Sequence, residues 1–249
     1  MRKAKEGFGM KAIGITATDT EFGKTVVSSC LAAGFKYLGF DMGVFKPAAS
    51  GCVRTAEGRL VSEDAELLIK GAGLTMAQHD DVVPYVLEAA LAPAEASKLA
   101  GVKLEPVVMK KAAAKMINSH KLTVVEGVGG ISAPLTDNYL VKDFFCDMKL
   151  PVIIVVKPLL GNVNHAVLSA YYAQHEGLKV LGFIVNGWDE ENAGVLERSN
   201  LYYYEKLTGL PVLNKKLLTG PDMLEAGKIA AENIDLQRIY KLLGDGENE

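Results

Sequence analysis
Apolar residues along this chain follow two rhythms. Five short runs are almost unbroken: "KAIGIT" (11–16), "GVFKP" (43–47), "LTVVEG" (122–127), "PVIIVV" (151–156) and "KVLGFIVN" (179–186). Runs of this length, bounded by glycine, proline or charge, read as strands buried on both faces. Between them apolar positions recur every three or four residues, over 24–37, 62–70, 93–99, 106–119, 164–175 and 191–207. That is helical spacing. The alternation predicts an α/β chain: one domain over 11–243, with a mostly parallel central sheet and helices on both faces. No repeat or low-complexity stretch divides it. The opening "MRKAKEGFGM" is basic but lacks the apolar stretch of a signal peptide, so residues 1–10 are expected to form a flexible extension. "GDGENE" at 244–249 is expected to fray.

In sheets of this kind ligands gather beyond the carboxyl ends of the strands. "TATDTEFGKT" (16–25) follows the first strand. Gly23, Lys24 and Thr25 fit the second half of a phosphate-binding loop, but Thr18 stands where that pattern has its first glycine. Asp19 and Glu21 lie inside the loop. A helix starting near Lys24 turns unpaired N–H groups and partial positive charge toward a phosphate. Lys24 adds a full charge, and the Thr25 hydroxyl is placed to ligate Mg²⁺. A chance glycine turn would explain Gly-Lys-Thr alone, not its position between an apolar strand and a helix.

The other strand ends carry chemistry too. In "KPAASG" (46–51) Lys46 is held by the following proline, and Ser50 and Gly51 can offer a hydroxyl and N–H groups to an anion. A surface lysine before a turn explains that stretch equally well. Asp64 lies in the first turn of a helix, where acids are ordinary. Glu126 ends a buried strand and is followed by "GVGG", which suits Mg²⁺ ligation directly or through water. In "LLGNVNHA" Asn162 or Asn164 can cap a helix, and with Gly161 they suggest an anion site. Asn186, in "VNGWD", resembles part of a base-recognition Asn-Lys-x-Asp pattern, with Gly187 replacing the lysine. His79, His120 and His175 read as surface or loop residues. Tyr202, Tyr203 and Tyr204 read as a packing face with at least one hydroxyl available to a partner or substrate.

Composition narrows the choice mainly by exclusion. A net charge of −3 asks for neither a nucleic-acid backbone nor an anionic membrane. Three widely spaced cysteines without a CxxC argue for reduced thiols in a cytoplasm, against a disulfide frame or zinc site. No apolar run approaches the ~20 residues of a membrane helix.

Taken together, "TDTEFGKT", "KPAASG", "SEDAELL", "VPYVLEAALAP", "VVEGVGGISAPL", "LLGNVNHAVLS" and "GFIVN" resemble the dethiobiotin synthetases, from about residue 11 to about 213. That family's loop begins with glycine, then Thr-Asp-Thr-Glu, one residue and Gly-Lys-Thr. It is one residue longer than the ordinary phosphate loop, so the departure here is Ala17, not Thr18. Further departures are "EAALAP", more apolar than usual there, and "LPVLNKKLLTG" in place of a segment expected near the adenine. The resemblance implies a P-loop NTPase-like fold and the ATP-dependent joining of CO₂ to 7,8-diaminononanoate through a carbamate. It places nucleotide against Thr20, Glu21, Phe22, Gly23, Lys24, Thr25, Val26 and Asn186, and Mg²⁺ on Thr25, Asp64 and Glu126. Lys46, Lys24 and Thr20 are the implied catalytic groups, and Thr20, Lys46, Ser50 and Gly129 meet the substrate. Leu160, Gly161, Asn164 and Tyr203 match a site for the substrate carboxylate on the neighbouring subunit, which implies a homodimer. The rival is a ParA/MinD-like ATPase switch. Those carry a signature lysine early in the loop, where Ala17 and Thr18 stand here.

Overall fold
The apolar runs pair because each is buried on both sides and has only neighbouring strands to satisfy its backbone. The computed structural model describes residues 11–216 and 223–244. Five parallel strands form the central sheet: β1 (Lys11–Ala17), β2 (Met42–Phe45), β3 (Leu122–Gly130), β4 (Val152–Val156) and β5 (Val180–Val185). Their order across the sheet is β2-β3-β1-β4-β5. Every residue of β2, β4 and β5 is buried, as a sheet covered on both faces requires. The covering helices are α1 (Lys24–Tyr37), α2 (Glu63–Ala72), α3 (Pro93–Ala100), α4 (Pro106–Ser119), α5 (Val141–Asp147), α6 (Asn162–His175), α7 (Val195–Thr208), α8 (Met223–Asn233) and α9 (Leu236–Gly244). Two small antiparallel pairs, Val53–Arg54 with Leu60–Val61 and Pro134–Thr136 with Tyr139–Leu140, decorate the edges.

The α/β expectation therefore holds, and the differences have local causes. Helix α2 begins at Glu63, because Ser62 caps it: its Oγ accepts from the Ala65 N–H. Helix α6 begins at Asn162 rather than 164. Neither asparagine caps it; Gly161, at φ 86°, takes the cap position without a side-chain bond. Helix α7 begins only at Val195. The preceding chain is held in a turn by Asp189, which accepts from the Glu191 N–H and Asn192 Nδ2 and pairs with Lys216. Asp189 is thus a turn-forming residue. Helices α5, α8 and α9 are additions to the sequence reading. Small residues allow α8 its close approach to α1: a Cβ at Gly227 would lie 2.7 Å from the Ala33 carbonyl oxygen. His79 is not a surface residue but fully buried, for a reason given below. The extension at 1–10 and residues 217–220 of "LPVLNKKLLTG" lie outside the described residues, as does the expected tail apart from Gly244, the last residue of α9.

Candidate active site
The loop between β1 and α1 is tied from both sides. The Thr18 N–H donates to the Val155 carbonyl of β4 (3.2 Å). Asn186, just beyond β5, donates from Nδ2 to the Phe22 carbonyl (2.9 Å). Gly23 is the cap residue of α1 with φ 80°, and a Cβ there would lie 2.0 Å from Asn186 Nδ2. Glycine is required at this position by backbone angle and space alike. Ala17 is the buried last residue of β1 and is not among the positive-φ residues, so it sits without strain where the family pattern has glycine. Glu21 does adopt φ 59°, a left-handed conformation uncommon for a residue with a Cβ. The Lys157 ammonium lies 5.4 Å from the centre of the Phe22 ring, supporting the loop from the third side.

Beneath the loop, the end of β2, the middle of β3 and the start of α2 bring charges together; β3 does not end at Glu126 but runs on through its glycines to Gly130, with a register shift against β1 just beyond Glu126. Lys46 Nζ donates to Asp64 Oδ2 (2.5 Å) and to Glu126 Oε1 (2.7 Å). Thr25 Oγ1 lies 2.9 Å from both Asp64 Oδ1 and Glu126 Oε1. Glu126 is completely buried and Lys46 nearly so, whereas the Asp64 side chain is 45% exposed. Glu126 Oε2 is buried without a hydrogen-bond partner. Burial works against the charged forms, but attraction prevails: Glu126 and Asp64 push the Lys46 ammonium up to about 12. Desolvation likewise opposes the Asp64 carboxylate, yet Lys46 and the Thr25 hydroxyl hold its carboxyl below the usual range. Lys24 behaves differently. Burial lowers its ammonium below the ordinary lysine value and the Lys46 charge adds to this, against the pull of Glu126 and Asp64. Among the described residues no carboxylate forms an ion pair with Lys24, so its charge is left for a ligand.

These groups face a cleft of about 670 Å³. Of the expected site residues, Thr20, Glu21, Gly23, Lys24, Thr25, Val26, Lys46, Ser50, Asp64 and Gly129 line it, with Glu126 behind Thr25 and Lys46. The opposite wall is apolar: Leu67, Ala90, Leu91, Ala92 and Pro93. Sequence reasoning noticed "EAALAP" only as a departure; its signal was an apolar tripeptide just before a helix with proline at its first position. Gly51 does not offer its N–H to a ligand, because that group donates to the Ala89 carbonyl. Asn186 lies in a second recess of about 190 Å³ with Lys157, Pro158, Leu159, Gly187 and Glu197, and its amide donor is engaged with the loop. Leu160, Gly161, Asn164 and Tyr203 do not line the cleft; they belong to the region of α6 and α7. Tyr204 is the buried member of the tyrosine run, donating to the Lys157 carbonyl, while Tyr202 and Tyr203 are exposed.

Residues 11–215 match the family described as an AAA domain. The chain is 39% identical to the ATP-dependent dethiobiotin synthetase BioD of Bacillus velezensis over 204 residues, covering 82% of this chain and 85% of that one. It is 41% identical to the protein of the same name from Bacillus cereus over 248 residues, covering 96% and 97%. The chain belongs to the dethiobiotin synthetase family. The fold also resembles more distant solved structures. The cell division ATPase MinD of Pyrococcus furiosus superposes with a TM-score of 0.56 at 14% identity, over 94% of this chain and 100% of that one. A chain of the MinC:MinD cell division protein complex of Aquifex aeolicus gives 0.53 at 13% identity, over 94% of this chain and 96% of that one. Those likenesses establish the fold alone. As a dethiobiotin synthetase this chain keeps the long loop with alanine at its head, and it pairs only one of its two buried lysines, Lys46, with the acidic residues.

Proposed function
We propose that the chain closes a ureido ring on 7,8-diaminononanoate with CO₂ and ATP, giving dethiobiotin, ADP and phosphate. The observation that carries this reading is the convergence of Lys24 and Lys46, from separate strand ends, on one cleft. An amine nitrogen adds to CO₂ and loses a proton, forming a carbamate. A carbamate oxygen attacks the γ-phosphorus and ADP leaves. The second amine attacks the carbonyl carbon, the bond from that carbon to the phosphoryl oxygen breaks with its electrons leaving on phosphate, and the new C–N nitrogen loses a proton. Negative charge accumulates where carbamate and γ-phosphoryl group meet, and such charge is stabilised by fixed cations and donors. Lys24 holds the nucleotide phosphates at the helix N-terminus. Lys46 neutralises the merging anions. Thr20 and Ser50 orient the carbamate and diamine, with Gly129 beside them. Leu67, Leu91 and Ala92 give the alkyl chain an apolar wall.

Thr25, Asp64 and Glu126 would hold Mg²⁺. A hydroxyl within hydrogen-bond distance of two carboxylates, one carboxylate oxygen buried and unpartnered, suits a small hard cation. When bound, the ion supplies charge neutralisation of the β- and γ-phosphates. Thr20, Glu21, Phe22 and Val26 contact the nucleotide, and the recess at Asn186 takes the base. Leu160, just before α6, and Leu168, Tyr171, Tyr202 and Leu207 on α6 and α7 are exposed. Exposed apolar residues on this pair of packed helices support a homodimer, in which Leu160, Gly161, Asn164 and Tyr203 meet the substrate carboxylate bound to the other subunit. No helix among the described residues is long and apolar enough to cross a membrane.

Phosphate release from ATP, measured with and without 7,8-diaminononanoate and bicarbonate, tests the reading. Release that requires both supports it. Release indifferent to the diamine would favour an ATPase switch.

A further inference from the structure
The buried imidazole of His79 has no place in the chemistry above, yet its bonds lead there. It is fully buried, and the Ser62 N–H donates to its Nε2 (3.1 Å). An N–H can donate only to an unprotonated ring nitrogen, so the hydrogen sits on Nδ1, which donates to Asp80 Oδ1 (3.0 Å). Arg59 Nη2 binds the same carboxylate oxygen from outside (2.7 Å). Ser62 is the cap residue of α2, itself only 2% exposed, and Asp64 follows two residues later. The N–H of a cap residue has no partner inside its own helix, so without His79 this donor would be buried unpaired. The same turn reaches the other side of the ion pair: the Val82 carbonyl accepts the Lys46 N–H (2.9 Å). Residues 79–82 thus grip both the segment carrying Lys46 and the helix carrying Asp64, whose side chains meet at 2.5 Å.

We propose that His79, in its Nδ1–H form and held there by Asp80, is a positioning residue that sets the Asp64 carboxylate for metal binding. This rests on the assignment of Asp64 as a metal ligand. Outer partners that orient ligands typically matter by about 10–100-fold in metal affinity. The probe is Mn²⁺ titrated against the full chain with ADP and followed by electron paramagnetic resonance. His79→Leu fills the space without an acceptor and should weaken Mn²⁺ binding by about tenfold or more. His79→Gln carries an acceptor at a similar reach and should stay within about threefold of the wild type. Affinity for ADP without metal should be equal in all three, which a general loss of structure would not allow. Mn²⁺ affinity unchanged in His79→Leu, or lost equally in His79→Gln, would overturn the proposal. A wild type that does not bind Mn²⁺ with ADP would instead overturn the metal assignment on which it rests. If His79→Leu does not fold, ¹⁵N resonances of the wild-type ring and the His79→Gln titration decide. A hydrogen on Nε2 rather than Nδ1 is incompatible with the proposal.

Discussion

Replacing Lys46 by methionine keeps the length of the side chain and removes its charge. Lys46 is the ion-pair partner of Glu126, which is completely buried, and of Asp64, which is half exposed. The Asp64 arm is screened by solvent and is worth about 1 kcal/mol or less. The Glu126 arm is not screened, and leaving a buried charge unpaired costs about 3–5 kcal/mol. Lys24 makes no ion pair with either acid and does not take over. The loss has a ceiling, because one carboxyl of the pair can bind a proton instead. Protonating a carboxyl of ordinary pKa about 4 at pH 7 costs about 4 kcal/mol, and at pH 5 about 1.4 kcal/mol. For a chain of this size 1 kcal/mol corresponds to about 2–4 °C in Tm. Lys46→Met should therefore melt about 8–16 °C below the wild type at pH 7 and only about 3–6 °C below it at pH 5. Asp64 does not contribute to this change between pH 7 and pH 5. Lys46 holds its carboxyl low, so that stabilisation is present above the ordinary aspartate value and disappears as pH falls through the lowered one. Thermal melts by circular dichroism without nucleotide or metal, across pH 5–7, provide the measurement. Equal melting at pH 7, or a gap that widens toward pH 5, would refute the reasoning.

Gly23→Ala forces a Cβ into a left-handed residue and against Asn186 Nδ2. ADP affinity should fall by about tenfold or more, as a bond between loop and strand end is lost; unchanged calorimetric titration would contradict this. Gly71→Ala places a Cβ 2.6 Å from the Ser29 carbonyl oxygen where α2 crosses α1, and should cost about 1–3 kcal/mol in urea unfolding, since backbone there cannot yield as a side-chain tip can. Tyr203→Phe should raise the KM for the diamine by about tenfold while leaving ATP binding alone, through loss of a hydrogen bond to a carboxylate worth about 1.5–3 kcal/mol; an unchanged KM removes Tyr203 from the site.

What the chain disclosed before folding follows from where its information is local. The strand runs, the lysine after β2 and the phosphate loop leading to Lys24 need only periodicity and the rule that parallel sheets bind ligands at one edge, whereas Glu126 lies inside β3, which continues past it to Gly130. The ion pair itself was not legible, because it joins residues 18 and 80 positions apart. Nothing local marked His79 as buried; its environment is made by Ser62, which lies 17 residues earlier. Asn214 was equally silent, though its amide pairs with both backbone groups of Val185 and stands in for a strand neighbour beside β5. Residues 160, 161, 164 and 203 came from resemblance alone and lie away from the cleft, so the fold of one chain gives them no shared task. Helix α8 escaped notice because its small residues, which permit close helix contact, weaken the apolar rhythm that announces a helix, whereas α9 carries that rhythm openly at Leu236, Ile239, Tyr240 and Leu243.

The anchoring of residues 18–23 between β4 and β5 has a thermodynamic consequence for the ligand. Fixing a residue of backbone costs about 1–2 kcal/mol in conformational entropy, so a loose loop of this length would consume about 6–12 kcal/mol of phosphate contacts in becoming ordered. Here that ordering is accomplished when the chain folds, by the sheet and the amide of Asn186. The contacts made to triphosphate are then free to grow stronger as the γ-phosphoryl group moves, which is the only use of binding energy that raises kcat.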